Sequence, residues 1–365
     1  MLRLLRELVE IESPSSEKAA VDRCGARVAT EWKHRGARVR IIRQRTVGNI
    51  VRAEIATRGR ADGQILVLGH LDTVYPIGTL SRTPFRISGG RAWGPGTFDM
   101  KGGMVLALFA VDALRAARVK LRRKFVFLWT GDEEIGSNAS RRTIEAEARG
   151  SDAVLVLEPA LGIEGRAKTR RKGIGEIEVI VHGRAAHAGV NPEEGVNAVH
   201  ELALQIDRLT KLSDPRRGIT VQANVVSGGT ASNVVPELAR AEVDVRFSRL
   251  EDAKPLERKL LKLKPILKGA RIEIRGGINR PPLERTPKVA ALFRHAQNIA
   301  LELGFELGEA STGGGSDGNL TAALGVPTLD GMGAVGDGAH SSREHILVRA
   351  FPQRAALIAG LLATL

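Results

Sequence analysis

A single cysteine, Cys24, stands in the whole 365-residue chain. That excludes an intrachain disulfide framework and suits a reducing compartment, so a cytoplasmic location is expected. It also means that any metal centre must be built from oxygen and nitrogen ligands. Aromatic residues make up only 4% of the chain, too few for the stacking platforms of single-strand nucleic-acid binders. No apolar run approaches the roughly 20 residues needed to span a bilayer. Residues 1–10 are amphipathic and carry acids, with no small-residue cleavage site after them. They are expected to form a first helix rather than a signal peptide.

What is plentiful is basic charge and glycine. The formal net charge is +14, but the basic residues are spread along the chain. No zinc-finger, helix-turn-helix or RNA-binding motif accompanies them. The excess is read as a solvated surface that helps draw in anionic substrates, and neither nucleic acid nor membrane is expected as a partner. The length suggests two domains. Hydrophobic content of 43% with 41 glycines fits an α/β protein with many tight turns.

The most informative stretch is Phe125-Val126-Phe127-Leu128-Trp129, an expected strand buried on both faces, running into Thr130-Gly131-Asp132-Glu133-Glu134-Ile135-Gly136. Crowded carboxylates repel unless a cation lies among them. The apolar strand 65–68 likewise runs into His70-Leu71-Asp72, and strand 153–157 into Glu158-Pro159. Three apolar strands each ending in a potential ligand point to one site at the carboxyl edge of an open α/β sheet. That central sheet is expected to be mixed and mostly parallel, flanked by helices. Helices are expected at 1–12, at 14–35 with Ser13 as N-cap and Pro14 at the first helical position, and at 104–117. After about residue 171 the order becomes strand, helix, two strands, helix and a short last strand at 271–274. This predicts an inserted ferredoxin-like α+β domain at 172–282 between two parts of a catalytic domain, 1–171 and 283–365.

Taken alone, each polar residue also has a plain reading. Glu133 and Glu134 could close a polar turn, Asp99 between Gly94-Pro95-Gly96 and Gly102-Gly103 could cap a helix, and Glu158 could simply end a strand. His340, in Gly336-Asp337-Gly338-Ala339-His340-Ser341, could be an exposed loop histidine, and His187 a turn histidine. Asp72, two residues from His70, is placed to fix that imidazole's tautomer.

The blocks 69–74, 94–103, 130–136, 157–159, 183–189 and 336–341 resemble, in order, those of the two-zinc aminoacylase and carboxypeptidase family. The glutamate carboxypeptidase branch is the nearest, on His70-Leu71-Asp72-Thr73-Val74-Tyr75 and Gly313-Gly314-Gly315-Ser316-Asp317. The resemblance implies that Asp99 bridges two zinc ions. His70 and Glu158 would complete one, and Glu134 and His340 the other. Glu133 would be general base and acid, and Asp72 would orient His70. His187 would stabilise the oxyanion, commonly in the neighbouring subunit of a homodimer formed through the inserted domain, which would also act as a lid. Asn233 would contact substrate, and Arg280 would pair with a substrate carboxylate, with Arg171 and Lys172 as weaker candidates for that task. Cobalt or manganese could replace zinc on ligand grounds. The expected activity is hydrolysis of a peptide or an N-acyl amino acid, by a carboxypeptidase or by a deacylase of the acetylornithine or succinyl-diaminopimelate kind. A basic binding protein on the same scaffold is the alternative outside enzymes. It gives no reason to keep a costly acidic cluster.

Overall fold

The computed structural model describes residues 1–57 and 61–365. The described residues form two compact units. The first comprises Met1–Arg170, Arg285–Thr312 and Ser316–Leu365, the second Arg171–Glu284 with Gly313–Gly315.

The first unit is built on a six-stranded sheet of β1 (Arg38–Ile42), β2 (Ile50–Ile55), β3 (Gln64–His70), β4 (Lys124–Thr130), β5 (Ala153–Val156) and β6 (Thr328–Leu329). Its order is β1-β2-β4-β3-β5-β6. The β1–β2 and β2–β4 pairs are antiparallel, while β4–β3, β3–β5 and β5–β6 are parallel. Every residue of β3 and β5 is buried, because apolar side chains of both parities meet a covered face. Val67, Phe127, Trp129 and Leu155 pack with the helix Gly102–Ala116 and the C-terminal helix Ala350–Thr364. Leu66, Leu68, Val126 and Val156 pack on the other side with Ile144 and Ala148 of the helix Arg141–Arg149. Side chains of this size contribute about 1.5–3 kcal/mol each on full burial, so the register of β3, β4 and β5 is firmly set.

Two sequence expectations fail near the amino terminus. The second helix spans Lys18–His34 rather than starting at Pro14. Ser13 caps nothing; its hydroxyl donates to the Leu71 carbonyl at 2.8 Å, and Pro14 bridges to Thr73 in parallel strand fashion. A tertiary partner outcompetes the local cap.

In the second unit an antiparallel sheet runs in the order Thr220–Gly228, Leu238–Phe247, Gly173–His182, Arg271–Arg280, the ferredoxin-like arrangement. Ile177, Val179, Val181, Val243 and Phe247 pack against Leu202 and Leu209 of the helix Ala198–Thr210 and Leu256 and Leu260 of the helix Leu250–Leu261. The last strand is longer than the sequence suggested. It continues through Gly276 and Gly277, with a register shift before Arg280; glycine suits that path because Gly276 has φ +86° and a Cβ there would strike the Glu176 carbonyl.

Candidate metal centre

Strand register creates the site. His70 ends β3 directly opposite Thr130, the last residue of β4. Beyond β5, the Leu157 N–H still bonds the Leu68 carbonyl at 2.9 Å, so Glu158 emerges beside His70. The acids after β4 fold into a single turn, Glu133–Ile135, closed by Gly136 at φ +95°. Asp99 enters from a loop that leads into the helix Gly102–Ala116, and the Asp99–Met100 peptide is cis. His340 sits two residues after Gly338 and itself adopts φ 61°. A left-handed backbone is unusual for histidine and marks a position fixed by its surroundings.

The five expected ligands converge. His70 Nε2 lies 3.2 Å from Asp99 Oδ1 and 3.4 Å from Glu158 Oε1. His340 Nε2 lies 3.4 Å from Asp99 Oδ2 and 3.3 Å from Glu134 Oε2. Asp99 therefore presents one carboxylate oxygen to each imidazole. Glu133 is close as well: ligand atoms of His70, Glu133 and Glu158 lie within 4.8 Å of one another, as do those of His70, Asp99 and Glu134.

Electrostatics shows how much positive charge this cluster demands. Burial alone would lower the His70 pKa, yet Asp72, Asp99 and Glu158 raise it well above the ordinary histidine value. Hydrogen bonds to Asp99 and Glu134 push His340 up to about 10. Burial would raise Asp99, but His340 and His70 outweigh it and hold the carboxyl below its usual range. Burial raises Glu134, whose Oε1 is buried with no hydrogen-bond partner among the described residues. An orphaned buried carboxylate oxygen, two imidazoles and a shared aspartate make a donor set that fits two divalent cations with borderline ligand preference.

Asp72 works differently from the simple expectation. His70 Nδ1 is nearer the Asp72 backbone carbonyl, at 2.9 Å, than its carboxylate, at 3.5 Å. The fully buried carboxylate instead accepts the N–H groups of Glu133 and Glu134, each at 3.2 Å. It orients the acidic turn as much as the imidazole. Sequence reasoning missed Glu344. Its buried carboxylate accepts the N–H groups of Gly96 at 3.0 Å, Phe98 at 2.8 Å and Asp99 at 2.9 Å, with Tyr75 Oη at 2.5 Å. Burial raises Glu344 to about 7. Tyr75 Oη also lies 3.0 Å from the Ser341 carbonyl, so this pair ties the Asp99 loop to the His340 loop. Nothing local flags Glu344; Tyr75 is at least visible as the only tyrosine in the chain. His345, a nearby second histidine, is engaged elsewhere: Nδ1 meets the Arg343 carbonyl at 2.9 Å and the ring packs on Trp93.

The remaining candidates belong to the second unit. His187 and Asn233 are neighbours on a two-stranded ribbon in which Ala186–His187 pairs with Val234–Val235. The Ala188 N–H donates to the Asn233 carbonyl at 2.9 Å. His187 Nδ1 accepts the N–H groups of Gly189 at 3.1 Å and Val190 at 3.2 Å. A neutral ring held this way carries its proton on Nε2. Arg280 ends the long last strand and is buried, with its Cδ against Gly315. Arg171 directs Nη1 at the carbonyls of Gly315, 2.9 Å, and Gly314, 3.2 Å, so it holds that turn; Lys172 lies beside it, half-buried. Arg246 on the neighbouring strand is held within the same unit: Asp244 binds its Nη2 at 2.7 Å, and Nη1 lies 3.4 Å from the Gly313 carbonyl.

The profile of the peptidase family M20/M25/M40 matches residues 66–364. The chain belongs to this family. It is 32% identical over 373 residues to carboxypeptidase G2 of Pseudomonas sp. (strain RS-16), covering 100% of this chain and 89% of that one. It is 29% identical over 385 residues to succinyl-diaminopimelate desuccinylase of Dechloromonas aromatica (strain RCB), covering 100% and 98%. The crystal structure of aminopeptidase PepT from Bacillus cereus superposes with a TM-score of 0.81 at 20% identity, over 99% of this chain and 97% of that one.

Proposed function

We propose that this chain is a two-zinc carboxypeptidase that hydrolyses the last amide bond of a small peptide and prefers an acidic C-terminal residue. The observation that carries the reading is Asp99, with one oxygen toward His70 and the other toward His340. His70 and Glu158 would hold one cation, Glu134 and His340 the other, and Asp99 both. Cations bound there would polarise the scissile carbonyl and acidify water.

The chain's own groups do the rest. The Glu133 carboxylate takes a proton from the attacking water and delivers it to the departing amide nitrogen, which leaves as a neutral amine. His187 offers an Nε2 proton to the developing oxyanion. Asn233 and Arg280 bind the substrate, Arg280 through its free carboxylate, and the positive net charge favours acidic substrates. We place the protein in the cytoplasm as a homodimer formed through the second unit. Supporting the dimer, Thr220–Gly228 is a sheet edge whose Val225 and Val226 are exposed, and such edges tend to pair. Cobalt or manganese would substitute for zinc on ligand grounds. Full-length similarity to a desuccinylase favours N-acyl amino acid deacylation as the second reading.

The test is chelation followed by zinc or cobalt return, with a panel of dipeptides and N-acyl amino acids as substrates. Activity should vanish and come back; hydrolysis that survives thorough metal removal contradicts the proposal. The panel separates carboxypeptidase from deacylase.

A further inference from the structure

We infer that Ser15, on the strap formed by residues 11–15, is a positioning residue for the catalytic carboxylates; this rests on the reading above. Asp72 is wholly buried, and its carboxylate receives three donors. Oδ1 takes the Glu133 N–H at 3.2 Å; Oδ2 takes the Glu134 N–H at 3.2 Å and the Ser15 hydroxyl at 2.6 Å. The shortest of these contacts comes from Ser15. The proposed base and one proposed ligand thus hang, through their backbone, on a carboxylate whose orientation Ser15 fixes.

Ser15 is itself held in place. Its N–H bonds the Thr73 carbonyl at 3.2 Å, the Thr73 N–H bonds the Ser13 carbonyl at 2.8 Å, and the Ser13 hydroxyl bonds the Leu71 carbonyl at 2.8 Å. Residues 13–15 thereby run alongside 71–73 as a short strand pair. Further back, the Ile11 carbonyl accepts from Lys101 Nζ at 2.7 Å, and Lys101 is a buried ammonium two residues past Asp99. The Glu12 carboxylate accepts the N–H groups of Gly78 at 2.8 Å and Leu80 at 2.9 Å. A strap fastened at so many points cannot let the Ser15 hydroxyl swing away. Its hydrogen bond acts as a fixed stop for Asp72, and partners one step removed from a metal commonly govern both affinity and rate.

Three readouts on purified Ser15→Ala test this. First, kcat should fall about 10–100-fold with KM little changed. Second, zinc affinity, read by chelator competition, should weaken by a similar factor. Third, amide hydrogen exchange at Glu133 and Glu134, measured before and after zinc loading, should quicken while the central strands stay protected. Ser15→Thr keeps the hydroxyl and should restore all three. If Ser15→Ala does not fold, Ser15→Cys, similar in size but a weak donor, carries the same expectations. Wild-type exchange and zinc affinity in Ser15→Ala overturn the inference while leaving the two-zinc reading intact. So does Ser15→Thr as impaired as Ser15→Ala, which would make packing rather than the hydrogen bond the cause. A wild-type protein that takes up no zinc overturns the reading itself, and the inference with it.

Discussion

The rim of the central sheet and the ribbon of the second unit both carry proposed functional residues, and they hold them by opposite means. At the rim, His70, Asp72 and Glu158 are buried, and the backbone of each acidic loop is tied down by a carboxylate, Asp72 under Glu133 and Glu134, Glu344 under Asp99. On the ribbon, His187 and Asn233 are exposed, and among the described residues the His187 ring is held by two backbone N–H groups. The difference fits the chemistry. A metal centre tolerates little displacement and needs its geometry built in advance. A donor that meets charge only during reaction needs the right tautomer and freedom to approach.

The comparison can be broken most sharply at Glu133. Glu133→Gln should lower kcat about 10²–10⁴-fold while metal content stays at the wild-type value; an active mutant would remove Glu133 from its role. His187→Ala should cost about 10²–10³-fold in kcat with zinc affinity unchanged, because His187 is not one of the proposed ligands and its ring is held by backbone N–H groups of its own ribbon. Mixing the Glu133→Gln and His187→Ala proteins should recover activity if the ribbon serves the partner's site; no recovery argues against sharing. Glu344→Gln should weaken zinc binding about 10–100-fold, seen by chelator competition, since it loosens the loop that carries Asp99. The smallest effect is expected from Glu201→Ala. The buried Glu201 carboxylate accepts the N–H groups of Ile266 and Leu267. Its loss should destabilise the second unit by about 1–3 kcal/mol in denaturant melts, with metal affinity untouched.

The two regions also differ in how far the chain betrays them. Acids placed at the ends of fully apolar strands are conspicuous, because neither packing nor turn chemistry asks for three in a row at 132–134. The acidic turn 132–134, Glu158 and His70 could therefore be placed at one rim from pattern alone, while the division of roles between Glu133 and Glu134 came from the family resemblance. The partners of those residues could not. Ser13 and Pro14 read as a helix start and became part of a strap, since their tertiary bonds to Leu71 and Thr73 lie 58 or more positions away in sequence. Glu344 lies 245 residues from Asp99, beyond any local signal. In the second unit, alternation exposed the strands but stopped the last one too early at Ile274, because the glycines that let it bend read as its end. His187 and Asn233 carry no physical signature in the chain, and only the family resemblance singled them out.

The central claim is that Asp99 joins two cations into one centre. A crystal structure of the zinc-loaded protein with anomalous scattering at the zinc edge tests it directly. Two peaks about 3.5–4 Å apart, one on each side of the Asp99 carboxylate, are predicted. A single peak, or two peaks with Asp99 bound to neither, would contradict it.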